Sequence, residues 1–217
     1  MDNIARKNKT IAFFAFGRFQ PPTVGHGLLI KSVEKAAIEG NGDAYIFVSS
    51  TLNKLKKTVT EKLESATGFK NPLDVQTKID VLKKMYPSNN IKYVNTETCK
   101  CNNPFLAISA LLEKGYSHLY LFVGEDRFKE MGPKFRNNPD VTLIYAGDRN
   151  ETGNSVKSMS GTKMRKAAIN RNLNTFKKGV VTNSFSHMDA ADLMQKVRRG
   201  VGLTGGRYTR RKRRLQD

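Results

Sequence analysis

The chain contains little cysteine, and what it has is confined to one short stretch. Its two cysteines among 217 residues, Cys99 and Cys101, are separated by a single residue. A disulfide across so short a loop would be strained, so we expect reduced thiols and an intracellular protein. A lone Cys-x-Cys pair brings no further ligands at metal spacing, so no metal-ligating residue is assigned.

Long hydrophobic runs are also missing. No apolar stretch approaches the roughly 18–20 residues that a membrane-spanning helix needs. Residues 1–9 are polar and lack the apolar core of a secretory signal. With 38% hydrophobic residues and a mean hydropathy of −0.52, the sequence predicts a soluble globular protein that makes no use of a membrane.

Acidic residues are the third shortage. There are 19 Asp and Glu against 38 Lys and Arg, which gives a formal net charge of +19. Such a charge predicts attraction to polyanions: nucleic acid, phosphate-rich ligands or acidic surfaces. Six of the last fourteen residues are basic, namely Arg207, Arg210, Arg211, Lys212, Arg213 and Arg214.

The composition changes at residue 200, which predicts two parts. We expect residues 1–199 to form one α/β domain, and residues 200–217 to form a glycine-rich linker and a flexible basic tail. The run Arg207–Arg214 is a candidate contact for nucleic acid or an acidic partner. Nuclear targeting explains the same run equally well, so the expected location is cytoplasmic, nuclear or virion-associated.

Apolar runs of strand length alternate with segments of helical periodicity. Strands are predicted over residues 11–16, 43–50, 91–94, 119–123 and 141–146, and helices over 27–40, 71–86, 105–114, after residue 160, and over 188–199. This alternation predicts a Rossmann-like, three-layer α/β fold. We expect a parallel sheet of about five strands in the order 3-2-1-4-5, with helices on both faces and an additional C-terminal helix.

The first strand runs directly into the segment GRFQPPTVGH, residues 17–26. Glycine at positions 17 and 25 lets the backbone approach a ligand closely. The helix that follows points unpaired backbone N–H groups and its positive dipole end at the same place, with His26 in its first turn. The segment therefore predicts a phosphate-binding turn.

A second such turn is predicted in SMSGTKMRKA, residues 158–167. Ser160 is a good N-cap, Thr162 adds a hydroxyl, and Arg165 adds a guanidinium just beyond the helix start. Glycine followed by polar residues also ends the fourth strand, in GEDR at 124–127, and the fifth, in GDR at 147–149. Parallel strands end at one edge, so these segments are expected to gather there.

Together the two turns resemble the nucleotidyltransferase superfamily. Its H/T-x-G-H motif after the first strand reads TVGH here, at residues 23–26, and its S-S/G-T-x-x-R motif reads SGTKMR, at residues 160–165. The lead-in GRFQP looks most similar to nicotinamide-mononucleotide adenylyltransferase-like proteins of archaea, large phages and giant viruses. The resemblance covers about residues 11–179.

The resemblance implies transfer of a nucleoside monophosphate, AMP from ATP being favoured over CMP from CTP. The acceptor would be a phosphate or hydroxyl group, and pyrophosphate would leave. The implied catalytic residues are His26, Thr23 and Arg165, and Mg²⁺ would be held mainly by the phosphates of the NTP. The implied nucleotide- and phosphate-binding residues are Gly17, Arg18, Phe19, Gly25, Gly124, Asp126, Arg127, Ser160, Gly161 and Thr162.

The charge also fits a protein of another class. A catalytically silent member with the same fold could serve as a basic nucleic-acid-binding, virion or scaffold component. The residues themselves leave the acceptor, the oligomeric state and the choice between these two classes open.

Overall fold

Five parallel strands form a single sheet in this computed structural model, which describes residues 10–51, 71–147 and 159–203. The strands are β1 (Ile11–Gly17), β2 (Asp43–Val48), β3 (Ile91–Asn95), β4 (His118–Val123) and β5 (Val141–Tyr145). They lie in the order β3-β2-β1-β4-β5, and each neighbouring pair is parallel. The predicted order and fold class are confirmed.

The described residues contain seven helices: α1 (His26–Glu39), α2 (Val75–Met85), α3 (Pro104–Leu112), α4 (Glu125–Phe135), α5 (Gly161–Ile169), α6 (Leu173–Val180) and α7 (His187–Gly200). The sequence predicted five of them and missed α4 and α6. Helix α4 contains Gly132 and Pro133 and buries only Met131 and Phe135, so its apolar pattern is thin. Helix α6 has only eight residues, too few to establish a period.

Strand β1 lies at the centre of the sheet and is buried from both sides. Ala12 and Phe14 belong to one hydrophobic cluster, with residues of α3 and α4. Phe13 and Ala15 belong to the other, with residues of α1 and α2. This explains why the strand is apolar at successive positions, and it gives the three layers that the sequence predicted.

The C-terminal helices form a third hydrophobic cluster away from the sheet. Helices α5, α6 and α7 pack together, and Leu73, Val81 and Met85 contribute from the segment that contains α2. Of these three helices, the sequence predicted α5 and the C-terminal α7 and missed α6. Ser186 starts α7 with a capping box, in which its hydroxyl and the Asp189 carboxylate each accept a backbone N–H.

The cysteine prediction was wrong: Cys99 and Cys101 form a disulfide. Lys100 between them has a φ of 53°, in the left-handed region, and the chain folds back on itself there. The two Cα atoms lie 5.2 Å apart, which a disulfide can bridge. Free thiols therefore no longer support the expectation of an intracellular protein.

Several predictions fall on other parts of the chain. Residues 52–70 and 148–158 and the basic run Arg207–Arg214 lie outside the described residues. None of the described helices is long and apolar enough to cross a membrane.

The end of α7 makes a backbone contact that leaves no space for a side chain. A Cβ added at Gly200 would stand 1.8 Å from the carbonyl oxygen of Pro72, whereas one at Gly132 in α4 would have no atom within 4 Å. We expect Gly200→Ala to destabilise the protein by about 1–3 kcal/mol. The control Gly132→Ala should be stabilising by about 0.5–1 kcal/mol, because alanine favours the helix. Urea unfolding measures both, and a Gly200→Ala midpoint equal to that of the unmodified chain would contradict the contact.

Candidate active site

The site lies where the direction of the chain across the sheet reverses. From β1 the connections through α1 and α2 lead outward to β2 and β3, and the chain then crosses to β4 on the other side of β1. Open parallel sheets bind ligands outside the carboxyl ends of their strands at such a reversal. The loop after β1, residues 18–25, leaves the sheet at this point.

The beginning of the loop is fixed by a buried aromatic ring. Phe19 is 2% exposed and has a φ of 48°. A Cβ at Gly17 would stand 2.6 Å from the Phe19 ring, so the ring lies directly against the glycine. The ring also contacts the imidazole of His26 edge-on, with ring centroids 5.0 Å apart. Phe19 thus supports His26 from within the core.

Thr23 holds the His26 ring through its backbone and its hydroxyl. The Thr23 N–H donates to His26 Nδ1 at 3.0 Å, and Thr23 Oγ1 lies 2.9 Å from the same nitrogen. Because Nδ1 accepts the backbone bond, the neutral ring carries its proton on Nε2. Thr23 itself is 1% exposed, and its carbonyl accepts a hydrogen bond from the Tyr86 hydroxyl at 2.8 Å.

The start of α1 differs from the prediction of unpaired amides. The N–H of His26 donates to Thr23 O at 3.0 Å, and that of Gly27 donates to Val24 O at 3.1 Å. The tight turn over residues 23–27 therefore satisfies these two donors itself. What the turn presents is the His26 side chain, held from Thr23.

The second motif lies against the first, as the sequence predicted for one edge. Ser160 caps α5, and its hydroxyl accepts from the Lys163 N–H at 3.2 Å. Arg165 Nη1 donates to the carbonyl of Gln20, and its Nη2 donates to Thr162 Oγ1 at 3.0 Å. A Cβ at Gly161 would stand 2.6 Å from the same Gln20 carbonyl. Glycine is thus required there for the two motifs to meet.

Gln20, which the sequence analysis did not select, connects these segments. It is 3% exposed, and its side-chain amide pairs with the backbone of Leu73 in both directions. Gln20 Nε2 donates to Leu73 O at 2.7 Å, and Leu73 N donates to Gln20 Oε1 at 3.0 Å. The first motif, the second motif and the approach to α2 are therefore joined at one residue.

Lys78 of α2 was also not selected, although it is fully buried beneath the loop. Its ammonium group donates to Arg18 O at 3.1 Å and to Ser49 O, at the ends of β1 and β2. Burial is the main cause that lowers the pKa of Lys78 to about 8; Asp74 opposes the shift and Arg18 adds to it. Only tertiary structure shows this lysine to be internal, because most lysines at helical positions face solvent.

Three positive side chains converge on this edge of the sheet. Burial, with a further contribution from the charge of Arg18, lowers the pKa of Arg165 to about 10. Arg18 also lowers the pKa of Lys78, so its charge lies close enough to repel each of the other two. Arg165 Nε is buried without a hydrogen-bond partner. An anion placed here would relieve both the repulsion and part of the cost of burial.

The GEDR segment lies beside this edge and is more exposed. Gly124 precedes α4, whose first turn contains Asp126 and Arg127, both exposed. A Cβ at Gly124 would meet no atom within 4 Å, so the structure leaves open space there. Arg127 pairs with Glu130 of its own helix at 2.7 Å. Of the segment GDR that follows β5, the structure describes Gly147 but not Asp148 or Arg149.

The donor set of the described residues contains no group of three or more His, Cys, Asp or Glu side chains that could hold a metal ion. A Mg²⁺ ion at this edge would take at most two ligands from such side chains of the described residues, and the rest from elsewhere. Triphosphate oxygens and water are the ligands that this ion takes in many nucleotide sites, so the residues present fit a metal that arrives with a nucleotide.

Two solved structures share this fold over most of the chain. One, from Vibrio parahaemolyticus, is described as a nicotinate-nucleotide adenylyltransferase; it is 14% identical, with a TM-score of 0.51 over 86% of this chain and 99% of that one. The other is a nicotinic acid mononucleotide adenylyltransferase from Plasmodium falciparum, complexed with APC; it is 13% identical, with a TM-score of 0.50 over 86% and 98%. No family model and no curated protein sequence matches the chain. At these identities the likeness establishes the fold.

The buried lysine predicts how stability depends on pH. A folded-state pKa of about 8, below the usual 10.5, means that between these values the unfolded chain binds more protons than the folded chain. Stability should therefore rise as pH increases from about 8 towards 10, by up to ~3 kcal/mol for this group. The neutral amine keeps two N–H donors for its two carbonyl acceptors.

Lys78→Met removes the titrating group and keeps the apolar stem. Urea unfolding of the unmodified chain and of Lys78→Met at pH 7, 8, 9 and 10 isolates the contribution. The difference between their free energies of unfolding should shift in favour of the unmodified chain as pH rises. A constant difference across this range would show that Lys78 is not a desolvated cation in the folded protein.

Proposed function

We propose that this chain is a nucleotidyltransferase that transfers a nucleoside monophosphate from an NTP, with ATP favoured, to an acceptor and releases pyrophosphate. The acceptor carries a phosphate or a hydroxyl group. One observation carries the proposal: Arg165 donates to Gln20 O, so the two phosphate-binding motifs form one continuous edge. The activity named for both structural neighbours supports adenylyl transfer in particular.

The reaction is a displacement at the α-phosphorus. An acceptor oxygen forms a new bond to that phosphorus, the bond to the oxygen that bridges the α- and β-phosphates breaks, and its electron pair leaves with pyrophosphate. A hydroxyl acceptor also gives up its proton to water, whereas an ionised phosphate acceptor has none to lose. Since no covalent bond to the protein is needed, the task of the site is to position the reactants and offset developing negative charge.

His26 is the proposed contact to the α-phosphate. With Nδ1 held by Thr23, the Nε2–H is the group that donates to a phosphate oxygen as charge develops there. Thr23 is buried, so it acts through the imidazole and fixes both its orientation and its tautomer. Tyr86 donates to the Thr23 carbonyl and so holds this pair from beneath.

The β- and γ-phosphates are proposed to lie on the second motif. The hydroxyl of Thr162 and the first backbone amides of α5 lie at the N-terminus of this helix, where an anion is favoured. Arg165 uses two of its five N–H donors on Gln20 and Thr162, and Arg18 adds charge from the first motif. Mg²⁺ bound to the triphosphate would add neutralising charge to the leaving pyrophosphate.

The GEDR segment is proposed to contact the sugar or the acceptor. Asp126 is exposed at the start of α4 and can accept hydrogen bonds from hydroxyl groups, and Gly124 leaves space for a close approach. Arg127 would have to leave Glu130 to reach a phosphate, so the structure gives it less support than Arg165.

The test compares two histidines of the chain. Purified protein is incubated with each NTP, Mg²⁺ and a panel of phosphate- and hydroxyl-bearing acceptors, and pyrophosphate is measured. We expect His26→Ala to lower the rate by about 10²–10³-fold, the usual loss of one donor to a developing charge. The variant should also melt at a lower temperature, because Thr23 N–H loses its acceptor, so circular dichroism must show that it is folded at the assay temperature. The control His187→Ala, at an exposed position on α7, should keep full activity.

Two outcomes would contradict the proposal. One is equal activity of His26→Ala and the unmodified chain with the preferred substrate pair. The other is the absence of pyrophosphate release with every pair, together with the absence of NTP binding by calorimetry.

A further inference from the structure

We propose that α5 and α6 carry a basic surface that binds the phosphate backbone of double-stranded nucleic acid. This surface, the α5–α6 surface, consists of Lys163, Lys166, Arg171, Lys177 and Lys178. It belongs to the folded domain and is separate from the basic run at Arg207–Arg214. It is also a function distinct from nucleotidyl transfer.

Charge is distributed unevenly over the described chain. Residues 159–203 contain nine Lys and Arg against two Asp and Glu, whereas the other described residues contain thirteen against eleven. No acidic residue occurs between residues 159 and 188. The excess charge of the described structure is therefore concentrated on the C-terminal helices.

The pairing of these charges differs as well. In the part of the described chain that contains the sheet, residues 10–51 and 71–147, Lys92 pairs with Asp43 at 3.1 Å, and Lys129 pairs with Glu125. Both acidic residues of the C-terminal part are already taken: Asp189 pairs with Lys84 at 2.7 Å, and Asp192 pairs with Lys196 at 3.0 Å. Within the described residues no ion pair engages the four lysines of the α5–α6 surface, Lys163, Lys166, Lys177 and Lys178.

The two helices hold these charges close together. Helices α5 and α6 pack on each other and are joined by a turn of three residues, in which Arg171 has a φ of 57°. Lys163 and Lys166 are both exposed and three residues apart, so they are neighbours on the surface of α5. The helices are about 13 and 12 Å long, so the whole surface fits within one turn of a nucleic-acid duplex.

The chemistry of this surface favours phosphate over other partners. Exposed amides accompany the charges at Asn170, Asn172 and Asn174, and such groups commonly contact phosphate and sugar. Among the described residues of α5 and α6 no large hydrophobic side chain is exposed. The surface therefore has no apolar face for a membrane, no hydrophobic centre for a protein partner and no aromatic ring to stack on unpaired bases.

The test neutralises three lysines that the proposed reaction does not use. Lys166→Gln, Lys177→Gln and Lys178→Gln are combined in the full chain, and binding to a 20-base-pair DNA duplex is measured by fluorescence anisotropy at 50–200 mM KCl. We expect at least tenfold weaker binding at 100 mM salt. The slope of log K against log salt should fall in magnitude by about 2 to 3, because each lost phosphate contact contributes about 0.9.

A matched control removes the same charge elsewhere. The control combines Lys31→Gln, Lys100→Gln and Lys114→Gln, at three exposed positions in the part of the chain that contains the sheet. Together these substitutions should change the affinity less than twofold. Replacing Lys166, Lys177 and Lys178 by arginine keeps the charge and should preserve binding, which guards against a fault in folding.

Three results would overturn the proposal. One is an equal loss of affinity in the two glutamine triples, which would assign binding to net charge alone. The second is an arginine triple that binds as weakly as the glutamine triple. The third is displacement of the duplex by polyglutamate as effectively as by unlabelled DNA at equal charge, which would assign the surface to acidic proteins.

Discussion

The buried carbonyl of Gln20 is the acceptor on which the arrangement of the site depends. A carbonyl removed from water needs a donor, and the donor here is the guanidinium of Arg165. Gly161 lies against the same oxygen, and the Gln20 side chain binds Leu73 on the other side. One peptide group thus sets the separation of two motifs that lie far apart in the sequence.

The same contact places charge where the fold alone would not favour it. Arg165 and Lys78 are both buried, and the charge of Arg18 depresses the pKa of each. Such a cluster costs stability in the empty protein, because like charges repel and burial removes their hydration. Under the proposed function, a polyanion bound here would recover this cost. The α5–α6 surface differs in that Lys163, Lys166 and Lys178 are exposed to solvent.

The sheet and the ends of its strands could be predicted from the sequence because local patterns specify them. The run IAFFAF indicates a strand buried on two faces, and the two motifs follow from glycine, hydroxyl and basic residues at fixed spacing. Helix α4 escaped prediction because few of its residues are apolar, and α6 because its eight residues are too few to establish a period. Gln20, Lys78 and Tyr86 escaped because their roles arise from partners 53, 60 and 63 residues away, which no local pattern records.

The distance between Gln20 and Arg165 along the chain, 145 residues, has a consequence for synthesis. While a nascent chain is still attached to the ribosome and α5 has not emerged, the loop after β1 lacks the guanidinium that completes it. The face of α2 around Val81 and Met85 also remains without its cover until α5–α7 arrive. The sheet can therefore take shape early, whereas the contact between the two motifs forms only with the last quarter of translation.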